Sequence, residues 1–206
     1  MITVLLVDDH KVVRTGLRVI INTQADMRVV AEAPDGETAV RLNRELRPDI
    51  VTMDLRLPGR LSGSQAISAI KLEFPAAKIV VLTTLVGDEH IYRALQAGAL
   101  GYVLKEADEA ELIAALRATA AGRRTLPAIV AEALQRRLAN APLTARELDV
   151  LRHVAKGCSN REVGDALGST ETTVKGYLPS ISGKLDAPDR TAAAIIAAQR
   201  GLITLD

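Results

Sequence analysis

Five short runs are rich in β-branched and aliphatic residues, and four of them are followed by a position that matters chemically. The five are ITVLLV (2–7), MRVVAEA (27–33), DIVTM (49–53), KIVVL (78–82) and GYVL (101–104). Asp8 and Asp9 follow the first, Asp54 the third, Thr83 the fourth and Lys105 the fifth. Carboxylates brought together repel unless one is protonated or a cation offsets them, and all-oxygen ligation with room for water fits Mg²⁺. Such a cation can also hold a phosphoryl oxygen, leaving one aspartate to attack phosphorus as a nucleophile. Lys105 would hold a further oxygen, and Thr83 would hydrogen-bond to the group once transferred. Taken singly, each residue has a plainer role: Asp8 or Asp9 capping a helix, Asp54 opening a turn before Pro58 and Gly59, Lys105 a solvated cation. Their joint placement at strand ends favours a site.

The elements that must bring them together are legible in the spacing. Val13, Leu17, Ile20 and Ile21 keep a helical period, as do Ile67, Ile70 and Phe74 before Pro75 ends the pattern. Five strands alternating with helices predict an α/β fold with a doubly wound, five-stranded parallel sheet, whose functional groups gather outside the carboxyl ends of the strands. A further helix opens at Asp108, with Glu111 three residues on, and runs to about Ala121 and Gly122. Residues 123–142 are basic and Ala-rich, with a partly helical pattern at Ile129, Ala133, Leu134 and Leu138, which suits a connector. No strand pattern follows. Thr144 with Glu147 and Ser159 with Glu162 are capping boxes that open two helices, and Gly157 and Gly168 stand where those helices would end. Val174, Leu178, Ile181 and Leu185 mark a third helix, and a fourth runs from about Thr191 to Arg200. This second, smaller all-α domain has a helix-turn-helix pattern, its second helix suited to the DNA major groove. The expected division is a sheet domain over 1–122, a linker over 123–142 and a helical domain over 143–206.

Composition narrows the class. Of 206 residues, 48% are apolar and 25% charged, which excludes disorder and collagen-like repetition. The single cysteine, Cys158, permits neither an intrachain disulfide nor a cysteine-based zinc site, and its plain reading is a partly buried small residue. The start is too short and uncharged for a signal peptide and no apolar run reaches membrane-spanning length, so a soluble, cytoplasmic protein without a membrane partner is expected. Aromatic residues make up 2%, leaving little capacity to stack on bases. Residues 141–206 carry eight basic and eight acidic side chains, so the helical domain is balanced. His10, His90 and His153 lack metal-ligand spacing.

VDDH (7–10), MDLRLPG (53–59), VLTT (81–84) and AGALGYVLK (97–105) resemble the receiver domain of two-component response regulators, a flavodoxin-like fold, over the first ~120 residues. LTARELDVL (143–151), SNREV (159–163), TVK (173–175), KL (184–185) and DRTAA (189–193) resemble the LuxR-type output domain of the NarL/FixJ class. The resemblance implies that Asp54 accepts a phosphoryl group from a sensor histidine kinase or a small phosphodonor. It implies a Mg²⁺ site at Asp8, Asp9, Asp54 and Arg56, a switch pair of Thr83 and Tyr102, and Lys105 as the family's lysine. It further implies that Thr172, Thr173, Lys175, Gly176, Pro179 and Ser180 face double-stranded DNA, that the last helix supplies a dimer surface, and that the phosphorylated protein forms a homodimer.

Two departures carry expectations of their own. After Asp54 the loop reads Pro58-Gly59-Arg60-Leu61-Ser62-Gly63, one residue longer than the usual pattern and without its Asp. Pro179 falls inside the presumed recognition helix, where it removes a hydrogen bond and crowds the Lys175 carbonyl at a cost of about 3 kcal/mol, so a kink after Gly176 is expected while Ile181 and Leu185 hold the core register. The function these features predict is a phosphorylation-switched transcriptional regulator, not an enzyme. A phosphorylation-controlled adaptor with weakened or lost DNA binding is the alternative. An aspartate-nucleophile phosphohydrolase would want a second acid two residues after Asp54, where Arg56 stands.

Overall fold

A computed structural model describes residues 1–84, 87–139 and 141–204. The chain divides into two compact units, Met1–Val86 with His90–Ala131, and Gly87–Glu89 with Glu132–Asp206. The first alternates β1 (Ile2–Val7), α1 (Lys11–Asn22), β2 (Met27–Ala33), α2 (Gly36–Leu46), β3 (Ile50–Met53), α3 (Gly63–Glu73), β4 (Ile79–Thr83), α4 (Asp88–Gln96), β5 (Gly101–Leu104) and α5 (Glu109–Ala120). All strand pairs are parallel and the order is β2-β1-β3-β4-β5. The order reverses beside β1, so the carboxyl ends of β1 and β3 flank the crevice where such sheets place their ligands. β3 and β4 are buried along their whole length, as strands covered by helices on both faces must be.

Local chemistry sets the helix boundaries. Asp35 accepts the Thr38 N–H at 2.7 Å and starts α2, and Asp108 accepts the Glu111 N–H at 2.8 Å and starts α5. Ser62 and Gln65 form a reciprocal capping box at α3. Leu6, Ile21, Ile50, Val80, Val103 and Leu116 form the centre of an aliphatic core.

Residues 123–142 contain α6 (Ala128–Ala139), in which Ala133 of the expected pattern is buried and Leu134 half-buried. Val130 is buried as well, while Ile129 and Leu138 stand exposed. In the second unit α7 (Ala145–Ala155), α8 (Asn160–Ala166), α9 (Glu171–Leu185) and α10 (Arg190–Gln199) pack Val150, Leu151, Val163, Val174, Ile181 and Ala197 into their own core. Both capping boxes form, and Gly157 and Gly168 adopt φ +82° and +60° at the ends of α7 and α8. α9 runs as one helix through Pro179, with Val174, Ile181 and Leu185 buried on one face. Cys158 is half-buried.

Glu147 anchors this unit. It is 3% exposed, and its carboxylate takes the Thr144 N–H at 2.7 Å, Ser180 Oγ at 2.7 Å and Lys184 Nζ at 2.7 and 3.0 Å. Burial alone would raise its pKa, but the bonds from Lys184, Thr144 and Ser180 outweigh it and bring the pKa down to about 2. The folded pKa lies below the unfolded value, so the contribution is present above pH about 4.5 and is lost as the pH falls toward 2. Glu147→Gln should destabilise the unit by about 2–3 kcal/mol at neutral pH, the scale of a hydrogen bond to a buried charged group. Its melting temperature should also lose most of the acid dependence seen in the parent between pH 5 and 2. Equal acid sensitivity in parent and variant would show that other groups control it.

Candidate phosphoacceptor and DNA-recognition sites

Four strand ends deliver the first site. β1 ends at Val7, placing Asp8 at the rim, and β3 ends at Met53, placing Asp54 beside it; they are 2% and 4% exposed. Lys105, next after β5, reaches both, its Nζ lying 2.6 Å from Asp8 Oδ2 and in hydrogen-bond contact with Asp54 Oδ2. Burial opposes the ammonium, but the bonds and charges of Asp54 and Asp8 prevail and raise its pKa above the ordinary lysine value. Lys105 therefore stays charged and offsets the two buried carboxylates. The Arg56 N–H donates to Asp54 Oδ1 at 3.3 Å while the Arg56 side chain is exposed. Because a guanidinium cannot ligate a cation, any ligand from this position is its main-chain carbonyl.

Asp9 stands outside this buried pair, its carboxylate 2.7 Å from His10 Nδ1. Ligand atoms of Asp8, Asp9, His10 and Asp54 all lie within 4.8 Å of one another. That hard, oxygen-rich set fits a divalent cation such as Mg²⁺, which favours carboxylate, carbonyl and water oxygens. His10 is a proximity the sequence spacing did not reveal.

Thr83, at the end of β4, is buried, as is Tyr102 in β5. Val81 and Tyr102 are register partners, and so are Thr83 and Leu104. Burial chiefly, with the Asp54 charge adding to it, raises the Tyr102 pKa, so the phenol stays neutral.

The long loop after Asp54 is held by two features. Gly63, the first residue of α3, packs onto the turn so closely that a Cβ there would lie 2.0 Å from Asp54 O and 2.6 Å from Leu55 Cα. Glu37, in the first turn of α2, accepts the Arg60 N–H at 2.7 Å, and Gly59, at φ +100°, has its Cα face against the same carboxylate. A loop lacking the usual Asp is thus tethered to α2. Glu37→Ala should free it: hydrogen exchange at the Arg60 amide should rise about fivefold, equivalent to losing roughly 1 kcal/mol of one hydrogen bond. No change there would assign the loop's position to other contacts.

In the second unit α8 and α9 meet through a tight turn. Gly164 is buried, the Ser169 N–H donates to its carbonyl at 2.8 Å, and a Cβ on it would lie 3.1 Å from Ser169 O. Of the residues expected to face DNA, Thr172, Thr173, Lys175, Gly176, Pro179 and Ser180 are all exposed on α9. Their side chains are not equally available. Lys175 Nζ pairs with Glu171 at 2.7 Å, Thr173 Oγ1 lies 2.9 Å from Thr170 Oγ1, and the Ser180 hydroxyl is committed to Glu147. Among the described residues no helix is long and apolar enough to cross a membrane.

The comparisons agree over nearly the whole length. Residues 4–117 match the response regulator receiver domain, and residues 141–197 match the bacterial regulatory proteins of the luxR family. The chain is 41% identical to the transcriptional regulatory protein LiaR of Bacillus subtilis, covering 98% of this chain and all of the relative. It is 38% identical to the response regulator protein VraR of Staphylococcus aureus, covering 98% and 99%. Among solved structures it is similar to the response regulator ChrA of a heme-sensing two-component system, with 40% identity, 98% of each chain covered and a TM-score of 0.59. RcsB of Salmonella enterica serovar Typhimurium, solved bound to a promoter with the phosphomimetic BeF₃⁻, gives 26% identity, 96% and 98% coverage and a TM-score of 0.75. With a receiver at its N-terminal end and a LuxR-type domain at its C-terminal end, the chain belongs to the response regulators of two-component systems that regulate transcription.

Proposed function

We propose that this regulator is switched by transfer of a phosphoryl group to Asp54 from the phosphohistidine of a sensor kinase. The observation that carries this reading is the buried cluster of Asp8, Asp54 and Lys105 at the carboxyl ends of β1, β3 and β5. An Asp54 carboxylate oxygen attacks phosphorus, the phosphorus–nitrogen bond breaks, and its electron pair leaves with the imidazole nitrogen. Asp8, Asp9, Asp54 and the Arg56 carbonyl would hold Mg²⁺, which when bound offsets the charge of the phosphoryl oxygens. Lys105 holds a further oxygen. Thr83 donates its hydroxyl to the new group, and Tyr102, packed in the adjacent strand, follows it. The outcome is a homodimer on double-stranded DNA, in the cytoplasm, with two α9 helices at two half-sites.

The charge balance of residues 141–206 makes non-specific affinity low, since phosphate neutralisation by Lys and Arg supplies most of it. Phosphorylated protein titrated by fluorescence anisotropy should therefore bind its promoter in a salt-sensitive manner and random DNA only weakly. Lys175→Ala should weaken binding to both and lower the salt slope by about 1. Absence of any salt-sensitive binding at low ionic strength would favour a protein-interaction adaptor. The remaining DNA-facing set is Thr172, Thr173, Gly176 and Pro179, with Ser180 acting through its main chain and its bond to Glu147.

A further inference from the structure

β5 is the last strand of the sheet, so one of its edges offers main-chain groups without a neighbouring strand. The chain fills part of that edge itself. After α5 it reverses at Gly122, φ +77°, and Thr125 pairs in parallel with Gly101. The Tyr102 N–H donates to Thr125 O at 2.9 Å, and the Thr125 N–H donates to Leu100 O at 3.4 Å. Side chains interlock at the same point. Thr119 Oγ1 and Thr125 Oγ1 lie 3.4 Å apart, and a Cβ on Gly101 would stand 2.7 Å from each. Thr119 and Gly101 are buried, so the missing side chain at 101 is what lets Thr125 reach the sheet.

We propose that Thr125 is a positioning residue that couples the linker to the state of the receiver, the first linker residues serving as a short added strand on the β5 edge. The inference rests on the reading of Thr83 and Tyr102 as a switch pair. Tyr102 has its side chain in the receiver core and its amide bonded to the linker, so it touches both ends of the path. β4, which carries Thr83, is hydrogen-bonded to β5, and a shift of β5 at Tyr102 is delivered through one hydrogen bond to Thr125. α6 starts at Ala128, immediately beyond, so a displaced Thr125 re-aims its first turn. A cavity of about 580 Å³ beside the pair, lined in part by Ala114, Ala118, Arg124 and Leu126, leaves the linker room to move on one side.

The test follows the Tyr102 amide by hydrogen exchange read with NMR on the full chain, with and without acetyl phosphate and Mg²⁺, and intact mass measured on each sample. In the resting protein the amide should be protected, and Gly101→Ala, which drives a methyl into both threonine hydroxyls, should speed its exchange by about tenfold or more. If Gly101→Ala does not fold, Thr125→Ala, which removes the interlocking hydroxyl, should speed it by about fivefold. Phosphorylation of the parent should change the rate by about fivefold or more, in either direction. The proposal is overturned if the folded variant exchanges like the parent, or if a phosphorylated sample stays within about twofold of the resting one. A sample that gains no phosphoryl mass refutes the Asp54 reading instead, and the variant comparison still decides whether Thr125 is held as described.

Discussion

Asp54→Asn should abolish phosphoryl uptake. Incubated with acetyl phosphate and Mg²⁺, the parent protein gains about 80 Da, the mass of one phosphoryl group, and the variant gains nothing. The expectation is all-or-none because an amide oxygen is a poor nucleophile and the site's other buried carboxylate, Asp8, follows β1 rather than β3 and is paired with Lys105. The substitution keeps the volume of the side chain, and Lys105 retains its ion pair with Asp8 at 2.6 Å, so the sheet should stay folded. A far-ultraviolet spectrum matching the parent's establishes that. With no adduct, acetyl phosphate should also leave the variant's DNA affinity and sedimentation mass unchanged. An 80 Da adduct on Asp54→Asn (about one phosphoryl) would move the acceptor elsewhere and sink the assignment.

Gly63→Ala should damage both the fold and the chemistry. The added methyl carbon would lie 2.0 Å from Asp54 O and 2.9 Å from Asp54 C, and both are backbone atoms. No rotamer relieves such an overlap, so either α3 moves off the sheet or the acceptor turn shifts. Overpacking of this kind costs about 1–3 kcal/mol, and main-chain partners put this case at the upper end. The melting temperature of the first unit should fall by several degrees, about 3–5 °C per kcal/mol for a domain of roughly 100 to 150 residues. The rate of phosphoryl uptake should fall by roughly a hundredfold, the cost of misplacing a reacting group by about 1 Å. Gly16→Ala is the control: nothing lies within 4 Å of a Cβ on Gly16, which sits inside α1. There alanine should be neutral or stabilising by up to about 1 kcal/mol. If both alanine variants melt and react like the parent, the close approach at Gly63 is not a constraint on the site.

Much of the fold was legible because its signals are local. β1, β2 and β5 have the expected limits, β3 starts one residue later, at Ile50, and β4 is shifted by one residue at both ends, Ile79–Thr83, so that Thr83 closes the strand instead of following it. β3 and β4 are recognisable because strands buried on both faces require continuous aliphatic sequence. The capping boxes at Thr144 and Ser159 formed as read, since a cap and its partner are three residues apart. The proline in α9 did not end the helix, which continues to Leu185 on the strength of Val174, Ile181 and Leu185 in the core. α6 shows the opposite case. Its apolar residues allow more than one inward face: Ala133 is buried as the pattern expected, but Val130 is buried too while Ile129 and Leu138 are exposed.

The sequence by itself determined the alternation of strands and helices, and with it which residues stand at the strand ends: Asp8, Asp9, Asp54, Thr83 and Lys105. It also carried the two family signatures. Only the tertiary structure decided which of these side chains touch, that Glu37 tethers the loop after Asp54, that Glu147 collects Ser180 and Lys184, and that Thr125 lies on β5. The physical reason is range. Periodicity and capping act over three or four neighbours along the chain, whereas these contacts join residues from 23 to 97 apart, such as Arg60 with Glu37 and Lys105 with Asp8. Such pairs meet only after hydrophobic burial has set the elements against one another.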